Sequence, residues 1–152
     1  MRKSTHRKHY GLTNPLTYVL RGMAPLSTAR SEMTLLGVKN HGAMVALTEG
    51  NGTKEDALAI HCAMFTALVM ARRGTGDEWE ATLDRGRMAA IALLLRGNAT
   101  GRYLFTGPEI KAVNLAMEVH EAQLNAATIA SFEADIKEAA RLIRSTKLKE
   151  AK

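Results

Sequence analysis

A run of 44 residues, from Glu109 to Lys152, contains neither proline nor glycine. It follows Thr106-Gly107-Pro108, in which Thr106 and Glu109 have the spacing of a helix capping box and Pro108 falls in the first turn, where a proline costs little. Because proline and glycine are the residues that most often interrupt helices, the run predicts one long C-terminal helix. Such a helix needs partners for its apolar residues, so the whole chain is predicted to be helical.

Glycine-rich turns divide the preceding residues into shorter segments with helical periodicity. The predicted helices span Thr28 to Leu47, Thr53 to Arg73 and Asp77 to Arg96, with Gly97 as the C-cap of the last. These segments and the long run predict an all-α fold, a helical bundle of about four helices over residues 26–146. A basic, mostly extended N-terminal arm with one short turn is expected over residues 1–25, and a basic C-terminal tail over residues 147–152.

The chain carries a formal net charge of +6, and the excess lies at its two ends. Residues 1–25 contain five Lys or Arg and no carboxylate, residues 137–152 contain six against two, and residues 26–136 contain ten against thirteen. Basic ends on a mildly acidic body are typical of proteins that contact phosphate. Solvated, disordered tails are the alternative. The predicted nucleic-acid contacts are Arg2, Lys3, Arg7, Lys8, Arg21, Arg144, Lys147 and Lys149.

No residue pattern indicates catalytic or cofactor chemistry. Metal sites in helical bundles pair Glu and His three residues apart on one helix face. Glu118 and Glu121 share a face, but His120 points about 100° away from its neighbours. His61 and Cys62 are adjacent and cannot face each other on a helix, and Cys62 is expected to be a small buried hydrophobe. We therefore expect no catalytic residue, metal, cofactor or small-molecule substrate.

The sequence predicts a cytoplasmic protein with no membrane partner. The longest apolar stretch, Ala57 to Ala71, falls short of the ~20 residues that span a bilayer. Pro15 to Leu20, which follows the basic N-terminal residues, is shorter than the ~7–15 apolar residues of a signal peptide.

The predicted final helix carries two apolar stripes. Leu115 and Val119 belong to one stripe, and Val113 and Met117 to the other. A helix at the edge of a monomeric bundle needs only one stripe, so the half from Val113 to Ile129 is predicted to pack against a second copy in a homodimer. The alternative is a monomer in which the shorter helices cover both stripes.

Three stretches give the chain a resemblance to a known group of proteins. They are Asn14 to Gly22, Val38 to Ala43, and Thr106 to Glu109 together with Leu115 to Leu124. In these stretches the chain resembles small uncharacterised proteins of proteobacterial phage and plasmid regions. The resemblance covers most of the chain and transfers no functional residue. It implies an accessory protein of a mobile element that acts by binding rather than by turnover.

The favoured function is a non-enzymatic protein that binds nucleic acid or a nucleoprotein complex through its basic ends. One form of it is an anti-defence protein that inhibits a host complex such as CRISPR, and another is a transcriptional or replication accessory factor. The alternative is a structural or assembly protein that self-associates through its long helix. An acidic protein surface is also open as the partner.

Overall fold

The computed structural model describes residues 15–150 and confirms the all-α class, with no strand among these residues. Residues 15–150 form six α-helices, where the sequence analysis predicts about four helices. Short 3-10 turns at Leu26–Thr28 and Asp77–Trp79 precede the second and fourth helices. The helices are α1 (Pro15–Met23), α2 (Arg30–Glu49), α3 (Lys54–Arg72), α4 (Glu80–Thr100), α5 (Gly107–Ala126) and α6 (Ile129–Glu150).

Helix α3 lies at the centre of the core. It packs against α2, α4, α5 and α6. Ile60, Met64 and Leu68 recur at intervals of four residues and are buried, which places one face of α3 in the middle of the bundle. Every residue from Thr66 to Ala71 is buried, so the C-terminal half of α3 is enclosed on all sides.

Two capping boxes fix the starts of α3 and α5, and the predicted box at Thr106 is confirmed. The Glu109 carboxylate accepts from the Thr106 backbone N–H at 2.9 Å. Arg96 donates to both oxygens of the same carboxylate, at 3.0 and 2.6 Å, and to the carbonyl of Leu104 at 2.8 Å. Burial alone would raise the pKa of Glu109, but these bonds hold it below its usual range. The last turn of α4 is thereby tied to the first turn of α5.

The predicted long C-terminal helix is wrong, because the chain leaves helical geometry between α5 and α6. Ala127 is extended, with φ −78° and ψ 155°, and it is buried. Its carbonyl accepts from Leu26 N–H at 2.8 Å, a bond that a continuous helix would not allow. Thr128 and Ser131 then bond each other's backbone N–H at 3.2 and 3.1 Å and start α6. Helix α6 continues into the predicted tail as far as Glu150.

The predicted extended arm is wrong for residues 15–23, which form α1, while residues 1–14 lie outside the described part of the chain. Helix α1 packs on α6. Gly22 lies so close to α6 that an added Cβ would be 3.1 Å from the Cβ of Ala130. A helix of nine residues is marginal alone, so packing on α6 explains a helix that local sequence does not predict.

Helix α4 extends past the predicted C-cap at Gly97 and ends at Thr100, with Gly101 in the left-handed conformation at φ +73°. Gly97 is buried within the helix, and a Cβ there would overlap the ring of Tyr103. The glycine therefore serves a close contact rather than a helix end.

Candidate nucleic-acid interface

Arg21 and Arg144 are the predicted contact residues whose side chains the structure describes, and both residues are exposed. Arg21 lies in the last turn of α1. Arg144 lies on α6, where its Nε donates to the carbonyl of Ala140 at 3.2 Å. Lys147 and Lys149 belong to the last turn of α6. The other four predicted residues, Arg2, Lys3, Arg7 and Lys8, lie outside the described residues.

Helices α1 and α6 pack side by side in opposite chain directions. The segment before α2 forms an antiparallel bridge with the α5–α6 junction, between Pro25 and Thr128. The backbone of Ile129 donates to the carbonyl of Ala24 at 3.0 Å in the same bridge. Because α1 leads into one side of this bridge and α6 leaves the other, the two helices extend from it in the same spatial direction.

The contact between Gly22 and Ala130 gives the register of the pair. Seven residues back along α1 and seven forward along α6 place Pro15 at about the level of Lys137, since both helices rise about 1.5 Å per residue. Arg144 lies about 10 Å further along α6. The first residue of α1 therefore lies at about the level of the basic half of α6.

Three cations of this half, Lys137, Arg141 and Arg144, are exposed and spaced for one helix face. Arg141 donates to both carboxylate oxygens of Glu138 at 2.8 and 2.7 Å, which raises the pKa of Arg141 and lowers the pKa of Glu138. Neither Lys137 nor Arg144 forms an ion pair with a described residue. Among the described side chains of this half of α6, Lys137 and Arg144 are therefore available to a partner.

Arg21 does not belong to this cluster. It precedes Gly22 and lies near the first turn of α6, about 20 Å along the helix from Arg144. The structure thus separates Arg21 from the other described contact residue, and adds Lys137, which the sequence analysis did not name.

No protein family, curated protein or solved structure matches this chain.

Geometry within the described residues supplies two further observations. No group of three His, Cys, Asp or Glu side chains among residues 15–150 is arranged to hold a metal ion. No helix in that range combines the length and the apolar character needed to cross a membrane. Glu121, which the sequence analysis considered as part of a metal site, has its Oε1 2.8 Å from Nε2 of His41 on α2, at the exposed surface.

The sequence analysis missed a buried polar pair on α5, His120 and Gln123. Their exposed fractions are 2% and 3%. The Gln123 amide nitrogen donates to the carbonyls of Ala67 at 3.0 Å and Thr75 at 2.7 Å. Since both amide hydrogens are used, Gln123 Oε1 is the acceptor for His120 Nδ1, 3.3 Å away. The pair links α5 to α3 and to the turn that follows α3.

Burial lowers the pKa of His120 to about 4, although the Gln123 bond and the charge of Glu121 act in the opposite direction. The ring is therefore neutral at neutral pH, with its proton on Nδ1. An enclosed, neutral imidazole is suited to holding structure rather than to exchanging protons with a substrate. The spacing of three between His120 and Gln123 on an apolar helix face was the available sequence signal.

Cys62 is exposed, so the prediction of a buried cysteine is wrong. The residues of α3 that face the core are centred on Ile60, and Cys62 lies about 200° further round the helix. It lines a cavity of about 490 Å³ between α3, α4 and α6. Phe65 in the same cavity meets the His61 ring edge-on at 5.7 Å and has the Arg87 guanidinium 5.7 Å from its centroid.

The two stripes predicted on the final helix differ in exposure. Val113 and Met117 are buried within the chain, at 0% and 6% exposure, so that stripe offers no dimer surface. In the other stripe Val119 is buried while Leu115 is 47% exposed, close to the half-exposed Trp79. Self-association through this helix stays a prediction, and it rests on the stripe that contains Leu115 and Val119.

Proposed function

We propose that this is a non-enzymatic protein that binds nucleic acid, or a nucleoprotein complex, through its basic ends. The observation that supports this is the antiparallel packing of α1 on α6. Helix α1, which begins at Pro15, packs on α6, the helix that carries Lys137 and Arg144 and whose last turn contains Lys147 and Lys149. The sequence before α1 contains Arg2, Lys3, Arg7 and Lys8, and we propose that these cations and those of α6 contact one polyanion.

The charge of the rest of the protein also favours binding of a polyanion on the side formed by α1 and α6. Residues 26–136 carry three more carboxylates than cations, so a polyanion is repelled weakly by the body and attracted by the α1–α6 side. Each lysine or arginine that neutralises a phosphate releases condensed counterions, and the log of the binding constant then falls by about 0.9 per contact for each unit of log salt. Binding of this kind reads backbone charge and depends steeply on salt.

The test is a salt titration of binding to a fluorescent 20-base-pair duplex, measured by anisotropy. Replacing the four N-terminal cations by Gln should flatten the salt slope by about 3 to 4, and replacing Arg144, Lys147 and Lys149 by Gln should flatten it by up to about 3. The matched control removes four exposed cations of the body instead: Lys39, Lys54, Arg85 and Lys111. The control variant has the same net charge as the N-terminal variant.

A wild-type slope in both end variants, or an equal flattening in the body variant, would overturn the proposal. Circular dichroism of each variant checks that the helices remain.

The resemblance to proteins of phage and plasmid regions supports a narrower form, an anti-defence protein that binds a host nucleoprotein complex such as CRISPR. Copurification from the native host identifies that partner directly. Recovery of nucleic acid with no host protein would favour an accessory factor of transcription or replication, and recovery of one host complex would favour the inhibitor.

A further inference from the structure

Helix α2 is apolar on two opposite faces. One face, with Ala43, Met44 and Leu47, is buried in the bundle. On the other side of the helix Leu35, Val38 and Val45 are 72%, 66% and 55% exposed. At about 100° per residue, these three side chains and Gly42 form a stripe about half a turn from the buried face. We call these four residues the outer stripe.

The chain itself gives no reason for the glycine in the outer stripe. A Cβ added at Gly52, Gly86 or Gly97 would overlap neighbouring atoms of the same chain, whereas one at Gly42 meets nothing within 4 Å. A glycine inside a helix costs roughly 1 kcal/mol relative to alanine. A helix approaching from outside would use the space above Gly42.

We propose that the outer stripe binds a second copy of this chain, with the two α2 helices antiparallel. We place the twofold axis of the helix pair midway between Val38 and Gly42. Val38 of each copy then lies in the space over Gly42 of the other copy. The same register places Leu35 against Val45 of the second copy. Val38 thus meets a glycine and Leu35 meets Val45, and each pair occurs twice about a twofold axis, as an isologous interface requires.

Charge selects the antiparallel orientation. Arg30 and Glu49 are the first and last residues of α2, both are exposed, and neither forms an ion pair with a described residue. In an antiparallel pair Arg30 meets Glu49 of the second copy at each end. In a parallel pair like charges would meet at both ends, and the helix dipoles would align unfavourably.

The interface is small. One helix packed on one helix falls below the roughly 1,200 Å² of standard protein interfaces, which is typical of weak, transient complexes. The inference does not depend on nucleic-acid binding.

Sedimentation equilibrium over a range of micromolar concentrations tests the interface. The average mass should rise from 16.5 kDa towards twice that value. Val38→Glu should remove the rise, and Leu115→Glu, which places the same charge at another exposed apolar position, should keep it. A constant monomer mass for the wild-type protein overturns the proposal, as does a dimer that Leu115→Glu abolishes and Val38→Glu retains.

Disulfide trapping tests the orientation, in a Cys62→Ser background that removes the exposed native thiol. Antiparallel pairing predicts a cross-link only when Val38→Cys and Gly42→Cys variants are mixed, because a disulfide needs Cα atoms within about 7 Å. Cross-linking of either variant with itself indicates a parallel pair and overturns the proposal.

Charge reversal gives an independent readout of the orientation. Arg30→Glu or Glu49→Arg alone should weaken the dimer several-fold, and the two together should restore it, since exposed ion pairs contribute up to about 1 kcal/mol each. In a parallel pair neither reversal changes the balance of like charges, so unchanged affinity in both single variants would overturn the antiparallel assignment.

Discussion

Acidification should destabilise this protein through His120. The folded state holds its pKa at about 4, while the unfolded chain restores the ordinary value near 6.5. Between these values the unfolded state binds a proton that the folded state excludes, so stability falls as the pH falls through this window. The full difference between the two pKa values corresponds to about 3 kcal/mol in the free energy of unfolding. About 2 kcal/mol of this should be lost between pH 7 and pH 4.5.

Three carboxyl groups with shifted pKa values also contribute at the acidic end, and not all in one direction. Burial raises the pKa of Asp135 despite the nearby Arg73. The Arg96 bonds lower the pKa of Glu109 despite burial, and the Arg141 bonds lower that of Glu138. A variant isolates His120 from all three. In His120→Asn the amide nitrogen can still donate to Gln123, but nothing titrates at this position.

Urea denaturation followed by far-UV circular dichroism, at several pH values from 7 to 4.5, measures the effect. The wild-type free energy of unfolding should fall by about 2 kcal/mol more than that of His120→Asn. Parallel curves for the wild type and His120→Asn would show that His120 is not excluded from protonation in the folded state.

Substitutions at four positions test the packing. Replacing Gln123 by Leu removes three buried hydrogen bonds and should cost about 3 kcal/mol in urea denaturation; a loss under 1 kcal/mol would mean that the bonds are absent. Gly86→Ala should lower the free energy of unfolding by about 1–3 kcal/mol, whereas Gly37→Ala, in open space, should raise it by about 0.5–1 kcal/mol, and the melting temperature should move in the same directions. Arg96→Met should cost about 1–2 kcal/mol by leaving Glu109 unpaired, and an equal loss for Arg96→Lys would confirm that the two-pronged geometry matters.

Local signals in the sequence were reliable where the structure depends on neighbouring residues. The capping box at Thr106 needs only Glu109 three residues later, and it is present. The break between α5 and α6 depends instead on Leu26, about 100 residues away, whose N–H bonds the carbonyl of Ala127. The pair Thr128 and Ser131 was a local sign of that helix start, but apolar periodicity across the junction concealed it.

In the candidate site, too, the sequence predicted what depends on neighbouring residues and missed what depends on distant contacts. Counting charges identified the basic ends, but only the structure shows that α1 packs on α6, the helix that carries Lys137 and Arg144. His120 and Gln123 are visible as a spacing of three, yet the carbonyls that bind Gln123 belong to Ala67 and Thr75. The exposure of Cys62 followed from the angular position of the α3 core face, which the hydrophobic run around it did not define.

The bridge between Pro25 and Thr128 also has a consequence for folding. It closes a loop of about 100 residues, for which the entropic cost is about 4 kcal/mol, whereas neighbouring helices such as α3 and α4 meet across a short turn. We expect α2 to α5 to form first and the α1–α6 pair to dock on them afterwards, which pulse-labelled hydrogen exchange would detect as late protection of both helices. By the same reasoning this pair should be the first part of the native protein to open, so the side that carries the exposed cations would exchange between docked and undocked forms while the core stays folded.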